Sequence, residues 1–320
     1  MCPVRESRLT FAVGLHNAPV KRVAVVYNAR SGALLAGADG SPAELLTQLF
    51  GRWDVTADVR AFNPETVGAE MGQLLAARPD AVIVAGGDGT VRTVAARMLG
   101  GDVPLGVLPA GTMNVLARDL GVPDDLERAV AALLTAPVER IDVATVNDQP
   151  FLCSSMLAMM PHLGRLREHA RGRFRLSAVR LLGRAVRLLR RYPRMRLTIV
   201  VDEQEYQART RAVVVSCNPL AAGPPPMPGR DRLDAGTLAV YVTNDRTNWD
   251  LLAVAGKLFR GNWQQDPRIR RYEGRAVQVR SSGPAMMSVM SDGEIAQLSV
   301  PLRYDLQPRA LAVLAPKQAS

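Results

Sequence analysis

The chain has 320 residues, enough for about two domains that each bury a core without covalent staples. Cys2, Cys153 and Cys217 are odd in number and share no CxxC or metal-ligand spacing, which argues against a disulfide framework or a zinc site and for a reduced, cytoplasmic setting. The formal charge is +10 and only Lys21, Lys257 and Lys317 are lysines, so an arginine-rich surface favours anionic partners, while no apolar run approaches the roughly 20 residues that span a bilayer.

Residues 1–21 read as a flexible tail in which Arg5 and Arg8, ahead of the apolar run from Leu9 to Leu15, mimic a signal peptide only weakly. RVAVVYN from Arg22 then reads as a buried strand, PAELLTQLF after Ser41 as a helix, WDVTADVRAF as a strand and PETVGAEMGQLLA as a helix. DAVIVAGG, TVRTVAARML, VPLGVLP, TMNVLARDL and DDLERAVAALL continue the alternation. Over 22–136 this predicts an α/β domain whose parallel sheet is covered on both faces, with ligands collecting at the carboxyl ends of its strands.

From about residue 137 the texture becomes strand-like: RIDVATV, RLTIVVD, RAVVVSC, TLAVYVT, AVQVRS and LSVPLRYD. These predict a β-rich, β-sandwich-like second domain over 137–307 with a helical insertion at about 163–191. AAGPPPMPGRDRLDAG is a long proline-glycine loop of the kind that is more often functional than idle. RALAVLAP, within 308–320, reads as a last strand that returns to the first domain.

Phosphate chemistry is suggested first by AVIVAGGDGTVRTVAARML, Ala81 to Leu99, where a strand pattern stops at a glycine cluster and a helical pattern begins. Gly86, Gly87 and Gly89 lack Cβ atoms, which lets the backbone take φ > 0 and bring its N–H groups close to an anion, and the helix adds its positive end. Asp88 lies inside this cradle, where a carboxylate beside a polyphosphate calls for a divalent cation between them. An ordinary Asp-Gly turn is the alternative. A second glycine loop, Pro109 to Asn114, follows the next strand and opens another helix, so two strand–glycine–helix junctions face one sheet edge.

With GGDGT and PAGTMN in this order the chain resembles the diacylglycerol kinase-like lipid kinases, the group that includes sphingosine and ceramide kinases and lies in the NAD kinase-like superfamily. YNARSG resembles the group's N-x-x-S-G loop, PAGTMNVLARDLGVP its P-x-G-T-x-N-x-x-A-R-x-L-G-x-P element, and FLCSSMLAMMPHLGRLRE stands at its lipid-side segment. RDRLDAGTLAVYV resembles the L-D-D-G-x-L-D-V block, SDGEIAQL the element with the base, and RALAVLAP the closing strand.

The resemblance implies ATP and Mg²⁺ as cofactors and a lipid alcohol as phosphoryl acceptor. It gives Asn28, Ser31 and Gly32, the run Gly86, Gly87, Asp88, Gly89 and Thr90, and Gly111, Thr112 and Asn114 to the nucleotide, with Asp88 placing the phosphate-bound Mg²⁺. Glu294 it makes the general base; read alone, SDGE is a solvated hairpin turn, and Asn114 is a helix cap. Where the group carries an Asp that shares a structural Mg²⁺ with backbone carbonyls, here those of Arg232 and Thr237, this chain has Ala235. That metal is therefore expected to be absent or weak. Cys153 and Ser154 replace a common Asn, which leaves the lipid open.

Twelve arginines and one acidic residue, Glu168, lie between Arg165 and Arg196. Arg180, Arg184, Arg187 and Arg191 recur at helical spacing, which fits either a basic helix on the anionic inner face of a membrane or a core helix with a solvated edge. Nucleic acid is not expected as a partner, because aromatics are only 5% of residues and no recognisable nucleic-acid reader motif is present. His162 and His169, seven residues apart, do not form a metal pair. A non-catalytic lipid- or nucleotide-binding protein on the same fold and an NAD kinase are the rival readings, and a homodimer stays open.

Overall fold

The computed structural model describes residues 20–31, 34, 41–158, 194–222, 228–244, 247, 250, 253–254, 256–257 and 260–316. Gly32, the arginine-striped segment at about 163–191, His162, His169 and residues 1–19 lie outside them. The first half runs β1 (Arg22–Tyr27), α1 (Pro42–Gly51), β2 (Thr56–Ala61), α2 (Val67–Ala76), β3 (Ala81–Gly86), α3 (Asp88–Ala95), β4 (Leu105–Pro109), α4 (Val115–Asp119) and α5 (Leu126–Thr135).

All six residues of β3 are buried, which a strand needs when helices cover both faces of its sheet. Helix α1 begins where Ser41 and Glu44 close a reciprocal capping box around Pro42, and it buries Leu46, Leu49 and Phe50. Strands β2, β1, β3 and β4 pair in parallel in that order. Tyr27 stands opposite Ala85 and Gly86 opposite Pro109, so the loops after β1, β3 and β4 all leave from one edge.

The second half supplies β5 (Val138–Val146), β6 (Gln149–Phe151), β7 (Ser154–Ala158), β8 (Met195–Val201), β9 (Gln204–Thr210), β10 (Ala212–Cys217) and β11 (Leu238–Thr243). It ends with β12 (Ile269–Gly274), β13 (Ala276–Ser281), β14 (Met286–Ser291), β15 (Glu294–Ser299) and β16 (Leu302–Leu314). Strands β12, β11, β10, β7, β14 and β15 form a six-stranded sheet. It packs face to face against strands β5, β8, β13 and β16, with Leu197, Ile199, Val279 and Tyr304 from one side meeting Val213, Val240, Met287 and Val289 from the other. The burial of β8 alternates residue by residue, as a strand with one inner face requires.

Strand β16 ties the halves together. Along one edge it runs antiparallel to β5. Along the other it meets β13 near its start and β4 near its end, where Val313 pairs in parallel with Leu105, so a single sheet of ten strands passes through both halves. LRYD and RALAVL, read as parts of two separate strands in the sequence, are therefore one strand with a register shift between Gln307 and Leu311. The predicted fold class is the observed one: a parallel-sheet α/β domain followed by a β-sandwich-like domain.

Candidate active site

Three loops meet at the carboxyl edge of the parallel strands. Asn28 donates from its backbone to the Ala85 carbonyl at 2.9 Å and from Nδ2 to Thr90 Oγ1 at 3.2 Å. Buried Ser31 donates its hydroxyl to the Ala110 carbonyl. The first loop is thus bonded to both glycine loops.

The glycines serve close approach and not the positive φ expected of them: none of Gly86, Gly87, Gly89 and Gly111 has positive φ. A Cβ on Gly111 would run into the Gly87 Cα and stand 2.9 Å from Asn114 Oδ1, because the two glycine loops touch backbone to backbone. A Cβ on Gly86 would stand 2.9 Å from the Thr90 Cβ. Left-handed backbone falls instead on Asn114, φ 47°, at the N-cap of α4. Its Oδ1 accepts from the Gly111 N–H at 2.8 Å and its Nδ2 donates to the Gly111 carbonyl at 3.2 Å, so this side chain holds the PAGTMN turn closed while Thr112 stays exposed.

Asp88 opens α3, and its Oδ1 accepts from the Val115 N–H at 2.7 Å, capping α4 from the neighbouring loop. Burial pushes its carboxyl above the usual range, against the lowering pull of backbone amides. The edge fits a nucleotide phosphate: backbone without side chains, the Thr90 hydroxyl, and a carboxylate able to share a divalent cation with the phosphates.

Glu294 reaches this edge from the other domain. Strands β14 and β15 are joined through Asp292, φ 48°, and Gly293, φ 87°, the two positive φ values of a primed hairpin turn. Asp292 points inward, where its carboxylate accepts from Leu152 N at 2.6 Å, Cys153 N at 2.9 Å and Ser154 N at 3.1 Å. Burial raises its carboxyl, and the three amides pull the other way. Glu294 points outward, forms an ion pair with Arg92 Nη2, and lays its carboxyl carbon 3.0 Å from where a Cβ on Gly89 would stand. The structure therefore brings Asp88 and Glu294 to the same turn of α3.

Several residues that build this region went unread in the sequence. Arg230 and Asp119 form a buried ion pair, with Arg230 Nε 2.8 Å from Asp119 Oδ2 and side chains 2% and 1% exposed. Arg230 Nη1 also donates to the carbonyls of Leu152 and Cys217 at 2.6 and 2.9 Å, and Nη2 to Cys153 Sγ at 3.4 Å. Cys153 and Ser154 are themselves buried, held between this guanidinium and Asp292. Burial pushes the Cys153 thiol well up, and that of Cys217 up to about 12. Asp119 lies in the LARDLG element and could have been found there; Arg230 carries no signal among so many arginines.

At the segment of Arg232, Ala235 and Thr237 the donors do not suit a divalent cation. Ala235 is exposed and offers no carboxylate. The Thr237 carbonyl accepts from the Asn218 N–H at 3.0 Å. Asp234 is flanked by guanidinium groups, Arg232 at 3.1 Å and Arg309 at 3.3 Å. The loop is fastened by buried Asp142, which accepts from Gly236 N at 2.7 Å and from Arg309 N at 2.8 Å. Among the described residues no cluster of three or more His, Cys, Asp or Glu side chains could hold a metal.

Comparison with known proteins matches both halves of the chain. Residues 22–146 match the diacylglycerol kinase catalytic domain, and residues 165–315 match the YegS C-terminal NAD kinase beta sandwich-like domain. The chain is 28% identical over 249 residues to a diacylglycerol kinase of Mycobacterium tuberculosis, covering 74% of this chain and 77% of that protein. It is 25% identical over 250 residues to an uncharacterized Synechocystis protein, covering 75% of this chain and spanning 55% of that longer relative. A crystal structure of a Bacillus anthracis diacylglycerol kinase superposes with a TM-score of 0.69 at 19% identity, over 93% of this chain and 98% of that one. With the two family matches together spanning most of its length and both glycine loops in place, the chain belongs to the diacylglycerol kinase-like lipid kinases.

Proposed function

We propose that this kinase transfers the γ-phosphoryl group of ATP to the hydroxyl of a lipid alcohol of the diacylglycerol type, with Glu294 as general base and Asp88 placing the phosphate-bound Mg²⁺. The observation that carries this reading is the meeting of the Glu294 carboxylate with the first turn of the GGDGT helix. A base has to sit within hydrogen-bond reach of the proton it takes, and here a carboxylate from the acceptor side stands beside the phosphate edge.

Phosphoryl transfer asks the protein mostly for alignment and charge neutralisation. The backbone of Gly86 to Thr90 and the PAGTMN turn hold the phosphates, with the positive end of α3 behind them. Mg²⁺, when bound with the nucleotide, offsets the charge that develops on the γ-phosphoryl oxygens. Glu294 accepts the hydroxyl proton as the acceptor oxygen bonds to the γ-phosphorus and the bond from that phosphorus to the ADP oxygen breaks. Its side chain is 53% exposed, open to an incoming substrate.

A net charge of +10 and the arginines of 165–196 support docking on an anionic membrane surface, where each basic residue contributes on the order of 1 kcal/mol. Among the described residues no helix is long and apolar enough to cross a membrane. The test is incubation with labelled ATP and a panel of lipids in anionic liposomes, with products identified by mass spectrometry. A phospholipid product is expected, and both Asp88→Ala and Glu294→Gln should lower its rate by about 10²–10⁴-fold. Unchanged turnover in both variants would sink the mechanism. Liposome binding without transfer would mark a binding protein, and transfer to NAD an NAD kinase.

A further inference from the structure

We infer that Arg92 is a positioning residue that holds the Glu294 carboxylate over the first turn of α3, and that Gly89 is glycine to leave that carboxylate its seat. This rests on the reading of Glu294 as the base.

Arg92 lies one turn into α3, and Glu294 is 202 positions away at the start of β15. One guanidinium takes both sides of the hairpin mouth: Nη2 binds Glu294, and Nη1 donates to the Ser291 carbonyl at 3.3 Å. Ser291 and Glu294 are the pair that closes the β14–β15 turn. A planar fork can make both contacts together, whereas an ammonium is a point charge. The Arg92 side chain is 19% exposed against 53% for Glu294, so the anchor is largely covered while the anchored group faces solvent. The neighbouring carboxylates are bonded elsewhere, Asp88 to the Val115 amide and Asp292 to the amides of residues 152–154, and neither takes the place of Glu294 on Arg92.

Gly89 gives independent support. Its φ is not positive, so its backbone suits any residue. What excludes a side chain is the Glu294 carboxyl group, whose Cδ and Cγ would lie 3.0 and 3.2 Å from a Cβ. An alanine there displaces the tip of a flexible side chain and leaves the helix intact. Glutamate at a hairpin tip otherwise samples several rotamers, most of them out of reach of an acceptor hydroxyl. Arg92 and Gly89 together select one, and they do so from the nucleotide domain.

The test is a double-mutant cycle on the full chain with labelled ATP and 1,2-dioleoylglycerol in mixed micelles, or the panel lipid that the wild type phosphorylates. Arg92→Met should lower kcat roughly tenfold to a hundredfold, with KM for ATP within about twofold and Tm little changed, and Gly89→Ala, whose backbone also lines the phosphate edge, should lower kcat to a similar extent. Arg92→Lys should recover part of the loss. In the Glu294→Gln background Arg92→Met should cost nothing further, because the group it positions is gone. Equal losses in the two backgrounds, or wild-type kcat in both Arg92→Met and Gly89→Ala, overturn the inference alone. Wild-type kcat in Glu294→Gln overturns the base assignment and this inference with it.

Discussion

Beneath the hairpin, Arg230 donates to Asp119, to two carbonyls and to the Cys153 sulfur, whose thiol burial pushes well up. Removing one partner of such a buried pair strands the other charge, so Asp119→Ala should lower the unfolding free energy by about 3–5 kcal/mol in urea titrations. Replacing Arg230 and Asp119 together with apolar residues should recover much of that loss, since no charge is then left buried. Asp88 and Glu294 could be singled out only through the ordered motifs GGDGT and SDGE of the family resemblance, because an Asp-Gly pair read alone is an ordinary turn. Arg230 and Arg92 were not, because what distinguishes them is the fold that covers them. Of the two reasons read for the glycines, positive φ does not hold; the absence of a Cβ serves loop-to-loop and loop-to-carboxylate contact, partners that a one-dimensional reading cannot see.

The touching glycine loops after β3 and β4 make a prediction about elements. Gly111→Ala would push a methyl group into the Gly87 backbone, which has no rotamer to yield; a loss of about 1–3 kcal/mol and weaker ATP binding in calorimetry should follow. Gly72 makes the contrast, lying exposed inside α2 with nothing within 4 Å of a Cβ. Gly72→Ala should raise stability by about 0.5–1 kcal/mol and leave ATP binding alone. Strands with a strict pattern, such as the fully buried β3 or the alternating β8, were readable as written. Strand β16 was not, because Pro308 and the left-handed Arg309, φ 50°, interrupt its period at the register shift.

At the scale of the molecule, a sheet shared by both halves implies one cooperative unit. Calorimetric unfolding should give a single transition with equal calorimetric and van't Hoff enthalpies; two resolved transitions would show that the halves melt apart. The sharing also fixes the chemistry in space. Glu294 comes from the six-stranded sheet and Asp88 from the parallel one, and Asp292 and Arg230 secure the 152–154 turn between them. Sequence could place each motif on its strand or turn; which edge meets which is set by β16, whose pairing with β4 rests on contacts more than 200 positions apart.

Strand β16 also bears on how the protein is made. β4 lacks its neighbour on that side, and β5 its longest partner, until residues 302–314 have left the ribosome. Until Leu302 and its successors emerge, strand β4, which ends at Pro109, and β5, which ends at Val146, must wait with an open, apolar edge, the condition under which nascent chains associate wrongly. Cells producing this kinase should depend on a chaperone that shields β4 and β5 late in translation, and a ribosome stalled before residue 302 should carry a protease-sensitive chain.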